Sequence, residues 1–297
     1  MTGDASMALV ELRSVGLSAQ VDPLGAQLVL VRDEADRDLL WHGDPAWWGS
    51  RAPILFPVVG TLAGGSYRIG GQRYPLPRHG FARGRRFEPQ VHDAAGASFL
   101  LRDDAATHAV YPFAFELEVA FRLEGHSLSC VATLRNTGDV PLPASLGFHP
   151  GFAWPLPYGG AREEHGIEFT ESEPDPVRRL TAGGLLAPQP VETPVSGHHL
   201  ALADRLFEPD VLILDRVRSR RLRYGVPGRR GLELWFPEAR QLGIWTKPGA
   251  PFVCLEPWQG HADPDGYEGE FAARPGSFTV SPGAAHRHSL TLTLDPP

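Results

Sequence analysis

The sequence predicts an all-β protein, a large antiparallel β-sandwich, and three observations carry that expectation. Glycine and proline together make up 62 of 297 residues, or 21%, against about 12% in an average chain. They are spread along the whole chain without a collagen-like period, so they punctuate turns. The longest stretch free of both is Ala26–His42, 17 residues, too short for a long coiled coil or a bundle of ordinary helices. The third observation is strict period-two alternation. In Phe113–Glu124, apolar side chains fall at Phe113, Phe115, Leu117, Val119, Phe121 and Leu123, with Glu116, Glu118, Arg122 and Glu124 between them. That is the pattern of a half-buried strand.

Taken in order, Gln27–Arg32 and Ala97–Arg102 read as the first clear strands. Phe113–Glu124 follows, and Gly125-His126 is a two-residue turn. Leu128, Cys130, Ala132 and Leu134 then alternate on a return strand that stops at Asn136-Thr137-Gly138. Further strands are expected over Asp210–Leu214, Arg220–Tyr224, Gly231–Phe236, Gln241–Thr246, Pro251–Glu256, Ser277–Ser281 and Ser289–Asp295. Many short strands with frequent turns, and no βαβ alternation, imply packed antiparallel sheets. Pro155–Pro194, rich in Pro, Gly and Glu, reads as a long loop within one domain spanning 1–297.

Apolar residues make up 42% and charged residues 21%, enough for a sizeable core. The net charge is −7, a poor footprint for a nucleic-acid binder. Lys247 is the only lysine among 28 basic residues, so the many arginines reflect coding bias. Cys130 and Cys254 lie in apolar runs and do not make a disulfide framework. No run of about 18 apolar residues suggests a membrane span. The first residues carry Asp4 and Glu11 and lack a basic-then-apolar leader. The expectation is a soluble cytoplasmic protein, monomer or homodimer.

Three segments are unlike ordinary sandwich sequence. Arg51–Gly60 is followed by Arg78-His79-Gly80-Phe81-Ala82-Arg83, where a histidine beside glycine reads as a loop or strand end; Gly80 lets a ligand or backbone approach. A plain surface histidine in a turn would fit as well. In Ser145-Leu-Gly-Phe-His149-Pro150, a strand would put Ser145, Gly147 and His149 on one face. The small residues leave a concavity for a ligand or for a facing aromatic ring. In Pro251-Phe-Val-Cys-Leu-Glu256-Pro257-Trp258, Glu256 shares a face with Phe252 and Cys254. Burial there would raise its pKa toward the range of a general base. An exposed strand-end glutamate before a turn is the alternative. Trp258 offers a flat ring for stacking. No dinucleotide, phosphate-loop, zinc-protease or nucleophile-elbow pattern occurs, and His198-His199 reads as solvated loop rather than a metal site.

These segments, in this order, resemble the aldose 1-epimerase (mutarotase) family. The resemblance runs through Gly25-Ala-Gln-Leu, Leu40-Trp-His-Gly-Asp44, Arg51–Gly60, His79-Gly80-Phe81, Gly147-Phe-His149-Pro150, Ile244-Trp245-Thr, Glu256-Pro257-Trp258 and Pro282-Gly283. It implies a galactose mutarotase-like supersandwich with an open sugar cleft, a small-molecule sugar as partner, and no cofactor or metal. It implies interconversion of the α and β anomers of a hexose, with Glu256 as general base on the C1 hydroxyl and His149 as general acid on the ring oxygen. His79 and Arg51 resemble the pair that holds the sugar, and Trp258 adds a stacking surface. Asp210 resembles an acidic substrate contact, with Asp204 and Asp215 as neighbouring alternatives. The Arg83, Arg85, Arg86 cluster suits phosphate and keeps a hexose-6-phosphate 1-epimerase open. A non-catalytic carbohydrate-binding protein is the reading from another class; it would predict a missing acid or base.

Overall fold

The computed structural model describes residues 8–297. Asp4, read above against a leader, lies outside them. The chain is 44% strand and 7% helical, and among the described residues no helix is long and apolar enough to cross a membrane.

A nine-stranded antiparallel sheet forms the larger layer. Its strands follow the spatial order 199–201, 166–169, 221–225, 232–235, 285–294, 127–136, 115–124, 96–102 and 88–92. The alternating hairpin forms its sixth and seventh strands. Ser127–Asn136 pairs with Phe115–Glu124 from Ser127↔Glu124 to Asn136↔Phe115, turning at Gly125-His126 as the pattern predicts. Period-two alternation fixes this register, because a one-residue slip would turn Leu117, Val119 and Phe121 away from the core.

A second sheet carries the cleft. Its order is 212–214, 241–245, 252–259, 146–148 and 54–55, and 151–153 also pairs with 252–259. Its strands lie buried on both faces, so they read as continuous apolar runs rather than alternations. Leu146, Phe148, Leu212, Leu214, Leu242, Ile244, Val253 and Leu255 point into the main core. Phe148 stacks on His288 of the larger sheet at 5.1 Å, and a ring nitrogen of His288 bonds the Pro257 carbonyl at 3.0 Å. These contacts join the two layers back to back.

Two expectations need correction. The Phe252–Gln259 strand continues past Glu256 through Pro257 and Trp258, so Glu256 is a strand-interior residue and not a strand end. The segment 155–194 is not all loop. Gly166–Phe169 is a strand of the large sheet, pairing with His199–Ala201 and Arg221–Gly225. Four residues between Gly- and Glu-rich flanks are too short for periodicity to reveal; their partners supply the order.

Candidate active site

Strand register places the two key side chains together. Leu146 pairs with Gln259 and Gly147 with Trp258. After a break at Pro150, Gly151 pairs with Cys254 and Phe152 with Val253 in unchanged register. His149 therefore stands opposite Glu256, on the face where cross-strand side chains meet. His149 Nε2 lies 3.1 Å from Glu256 Oε2. On the other side of the Phe252–Gln259 strand, Glu256 is opposite Gly243, which adds no side chain over the carboxyl.

The same two neighbouring strands make a bed for Trp258. A Cβ on Gly147 would come within 2.6 Å of Trp258 Cδ1, and one on Gly243 within 2.5 Å of its Cη2. The indole thus lies flat across three strands, where only glycine leaves room. Trp48 stacks on the His149 ring at 4.8 Å, and Trp245 meets that ring edge-on at 6.0 Å.

His79 closes the third side. The Phe56–Gly80 bridge ties its loop to the strand end at Phe56. His79 and Gly80 both hold left-handed backbone, φ 67° and 71°, a conformation that histidine tolerates better than most residues. Gly80 allows close approach, but the group approaching is the Phe56 backbone: an added Cβ would sit 2.2 Å from its oxygen. The His79 ring is 5.7 Å from that of His149, and its Nδ1 accepts the Gly60 N–H at 3.1 Å.

These groups line a cleft of about 460 Å³, together with Arg78, Arg83, Glu208, Asp210 and Lys247 on its rim. That is the size class of small-ligand sites. His149, Glu256 and His79 are 8%, 1% and 7% exposed. His149 Nδ1, Glu256 Oε2 and Trp258 Nε1 are buried without a hydrogen bond; the His149–Glu256 contact is close but not aligned as one. Buried polar atoms normally find partners, so three orphans in one cleft mark where a polar ligand belongs.

Burial dominates the electrostatics. Desolvation pushes the Glu256 carboxyl well above its ordinary value. Arg78 and the nearby Trp258 indole pull it down, and Asp210 pushes it up, by less. Burial lowers His149 to about 3, with Arg78 and Arg83 adding to the effect. His79 is likewise held well below 6.5 by burial, then by His149, Arg78 and Arg83. Burial thus favours the uncharged form of each member, a carboxylic acid on one side and an imidazole on the other. The ionic form, carboxylate beside imidazolium, holds the same number of protons and differs only in where the proton sits.

A donor atom of Cys254 lies within 4.8 Å of donors from His149 and Glu256. Burial, above all, and the neighbouring Glu256 carboxyl hold the Cys254 thiol well above 9.

The structure brings Glu256, His149, His79, Trp258 and Asp210 to one cleft. Asp210 sits at φ 66° in a turn whose backbone closes on Phe207. Asp204 instead pairs with Arg162 at 2.7 Å, and Asp215 with Arg178 at 3.5 Å. Arg51 is a correction. Its Nε donates to the His42 carbonyl at 2.7 Å, its guanidinium packs where a Cβ on Gly43 would stand, and it lines a separate depression with Leu40 and His42. Of the arginine cluster, only Arg83 lines the cleft; Arg85 pairs with Asp104 and the Arg86 backbone bridges to Leu24. Sequence reasoning missed Trp48 and Arg78. A pair of adjacent tryptophans, Trp47-Trp48, in a short polar loop was the available signal for the first.

A family model described as aldose 1-epimerase matches residues 8–279. The plasmid-borne protein LacX of Lactococcus lactis is 33% identical over 263 residues, covering 84% of this chain and 87% of that one. Among solved structures, a galactose mutarotase related enzyme from Lactobacillus acidophilus superposes with a TM-score of 0.88 at 28% identity, over 97% of this chain and 98% of that one. A galactose mutarotase-like protein from Lactobacillus casei gives 0.90 at 26% identity, over 97% and 100%.

Proposed function

We propose, because the chain belongs to the aldose 1-epimerase family, that it interconverts the α and β anomers of a hexose. The observation that carries this reading is the His149–Glu256 pair, 3.1 Å apart on the floor of a cleft of sugar size. Ring opening needs a base on the C1 hydroxyl and an acid on the ring oxygen. In its ionic form the pair supplies both. Glu256 takes the C1 hydroxyl proton as electrons flow to break the bond between C1 and the ring oxygen. His149 delivers its proton to that oxygen, giving the open-chain aldehyde. Rotation about the C1–C2 bond turns the other carbonyl face to the hydroxyl. Reversal of both proton transfers closes the ring as the opposite anomer and restores the pair, so no net proton and no redox partner is consumed.

Other residues hold the sugar. His79 offers an N–H, Asp210 a carboxylate and Trp258 an aromatic floor, the mix that recognises a hydroxylated ring with one apolar face. The test is a panel of pure hexose anomers followed by polarimetry or proton NMR, without added metal. Acceleration of at least one anomer exchange is expected; binding without acceleration would favour a carbohydrate-binding protein.

One observation favours a second reading, a sugar 6-phosphate as substrate. Arg78 and Arg83 stand at the cleft with no carboxylate partner among the described residues, and paired guanidiniums suit phosphate. Activity confined to 6-phosphates, and lost in Arg78→Gln/Arg83→Gln, would establish it.

A further inference from the structure

Behind the cleft wall lies a buried cation whose side chain does not itself line the cleft. Arg274 is 3% exposed. Its Nε donates to Asp263 Oδ1. One terminal nitrogen reaches Ser145 Oγ at 3.0 Å and Ser277 Oγ at 3.3 Å. The other donates to the Val59 carbonyl at 3.0 Å and to the His261 carbonyl. Asp263 uses its second oxygen to accept the Ala63 N–H at 2.8 Å. A buried guanidinium is costly and is kept where its donors are used.

The Val59 carbonyl and the Gly60 N–H belong to one peptide unit. Arg274 donates to its oxygen, and its N–H donates to His79 Nδ1 at 3.1 Å. A charged donor on the oxygen polarises the peptide and strengthens the N–H as a donor, since linked hydrogen bonds reinforce one another. Gly60 holds φ 77°, and a Cβ there would lie 2.5 Å from the Ala262 backbone, so the position needs glycine, and the peptide is held at its oxygen by Arg274 and at its N–H by His79. A backbone N–H can only donate. His79 Nδ1 must therefore be the acceptor, and in a neutral ring the proton must sit on Nε2. Nε2 has no hydrogen-bond partner among the described residues.

We propose that Arg274 is a positioning residue that acts through the Val59–Gly60 peptide to fix His79 as the Nε2–H tautomer, a hydrogen-bond donor to a substrate hydroxyl in the cleft. The relay runs from the Asp263 carboxylate through Arg274 and the peptide to the imidazole. Only the nature of the acceptor rests on the sugar reading; the tautomer follows from the geometry.

The test begins with the unmodified protein carrying ¹⁵N-labelled histidine and glycine, with the His79 signals assigned by their loss in His79→Asn. An unprotonated Nδ1, a protonated Nε2 and a through-hydrogen-bond coupling between Gly60 N and His79 Nδ1 are expected. A proton on Nδ1, or no such coupling, overturns the proposal without any Arg274 variant. Arg274→Lys keeps the charge opposite Asp263, but a single ammonium cannot span Asp263 and Val59 as the planar fork does. It should weaken the coupling, mix the tautomers and raise KM by about twofold to tenfold, the range of one neutral hydrogen bond, with kcat little changed. A raised KM with the His79 signature intact would make Arg274 merely structural and overturn the relay. A lost signature with unchanged KM would leave the relay standing and remove His79 from sugar binding.

Discussion

Replacing Glu256 by Gln tests the proposed chemistry most directly. The amide has nearly the same size and can keep its contact with His149, but it cannot take up a proton at any working pH. Glu256 is 1% exposed and 3.1 Å from His149, and among the described residues no other carboxylate stands as close to that imidazole. The loss should therefore fall within the full span of a positioned acid or base, about 10²–10⁴-fold in turnover, or about 2.7–5.4 kcal/mol of transition-state stabilisation. Hexose affinity should remain, because His79, Asp210 and Trp258 are untouched. The structure adds a second quantity. His149 and Glu256 stand 3.1 Å apart and serve one proposed proton exchange, so they should act as a unit and their losses should not multiply. The double variant His149→Asn/Glu256→Gln should lie within about tenfold of the worse single variant. Anomer exchange by polarimetry, with sugar binding by calorimetry on the same samples, measures both. A Glu256→Gln rate within a few-fold of the unmodified protein would refute the mechanism. Losses that multiply would refute the action of the two as a unit.

The rate should follow a bell in pH that differs from that of two isolated groups. Falling pH adds a second proton at His149, whose value is lowered to about 3, and removes the base. Rising pH strips the last proton at the raised Glu256 value and removes the acid. The acid limb of kcat/KM should thus lie well below 6.5 and the alkaline limb well above 4.5; an acid limb near 6.5 would place an ordinary imidazole in control. Gly243→Ala would force a Cβ to 2.5 Å from the Trp258 ring. It should cost about 1–3 kcal/mol in denaturant unfolding and raise KM as the indole is pushed out of plane; an unchanged midpoint and KM would show that the bed has slack. Arg51→Gln should leave KM within about twofold, the effect of a surface change of about 0.5 kcal/mol, since Arg51 bonds His42 outside the cleft. A large KM increase would return Arg51 to the sugar site.

Some of this protein is set by local pattern. Alternation from Phe115 to Leu134 determines one hairpin, its turn and its inward face, because side-chain direction in a strand depends only on residue parity. Glycine and proline spacing excludes long helices for the same local reason. Parity also put Glu256 on the face of Phe252 and Cys254, and His149 on that of Gly147. The distance between the two was not legible. It depends on a register that survives the interruption at Pro150, and register is a property of two strands 107 residues apart rather than of either one. The assignment of Arg51 failed on the same ground, since neighbouring residues in a loop diverge once the backbone turns, and the turn at Gly43 takes its guanidinium to His42. Trp48, Arg78 and the Asp263–Arg274 network lie in segments without periodicity, where no residue's surroundings follow from its neighbours in sequence. Only the folded chain decided that these two titratable residues lose water together, 3.1 Å apart, with burial raising the carboxyl and lowering the imidazole.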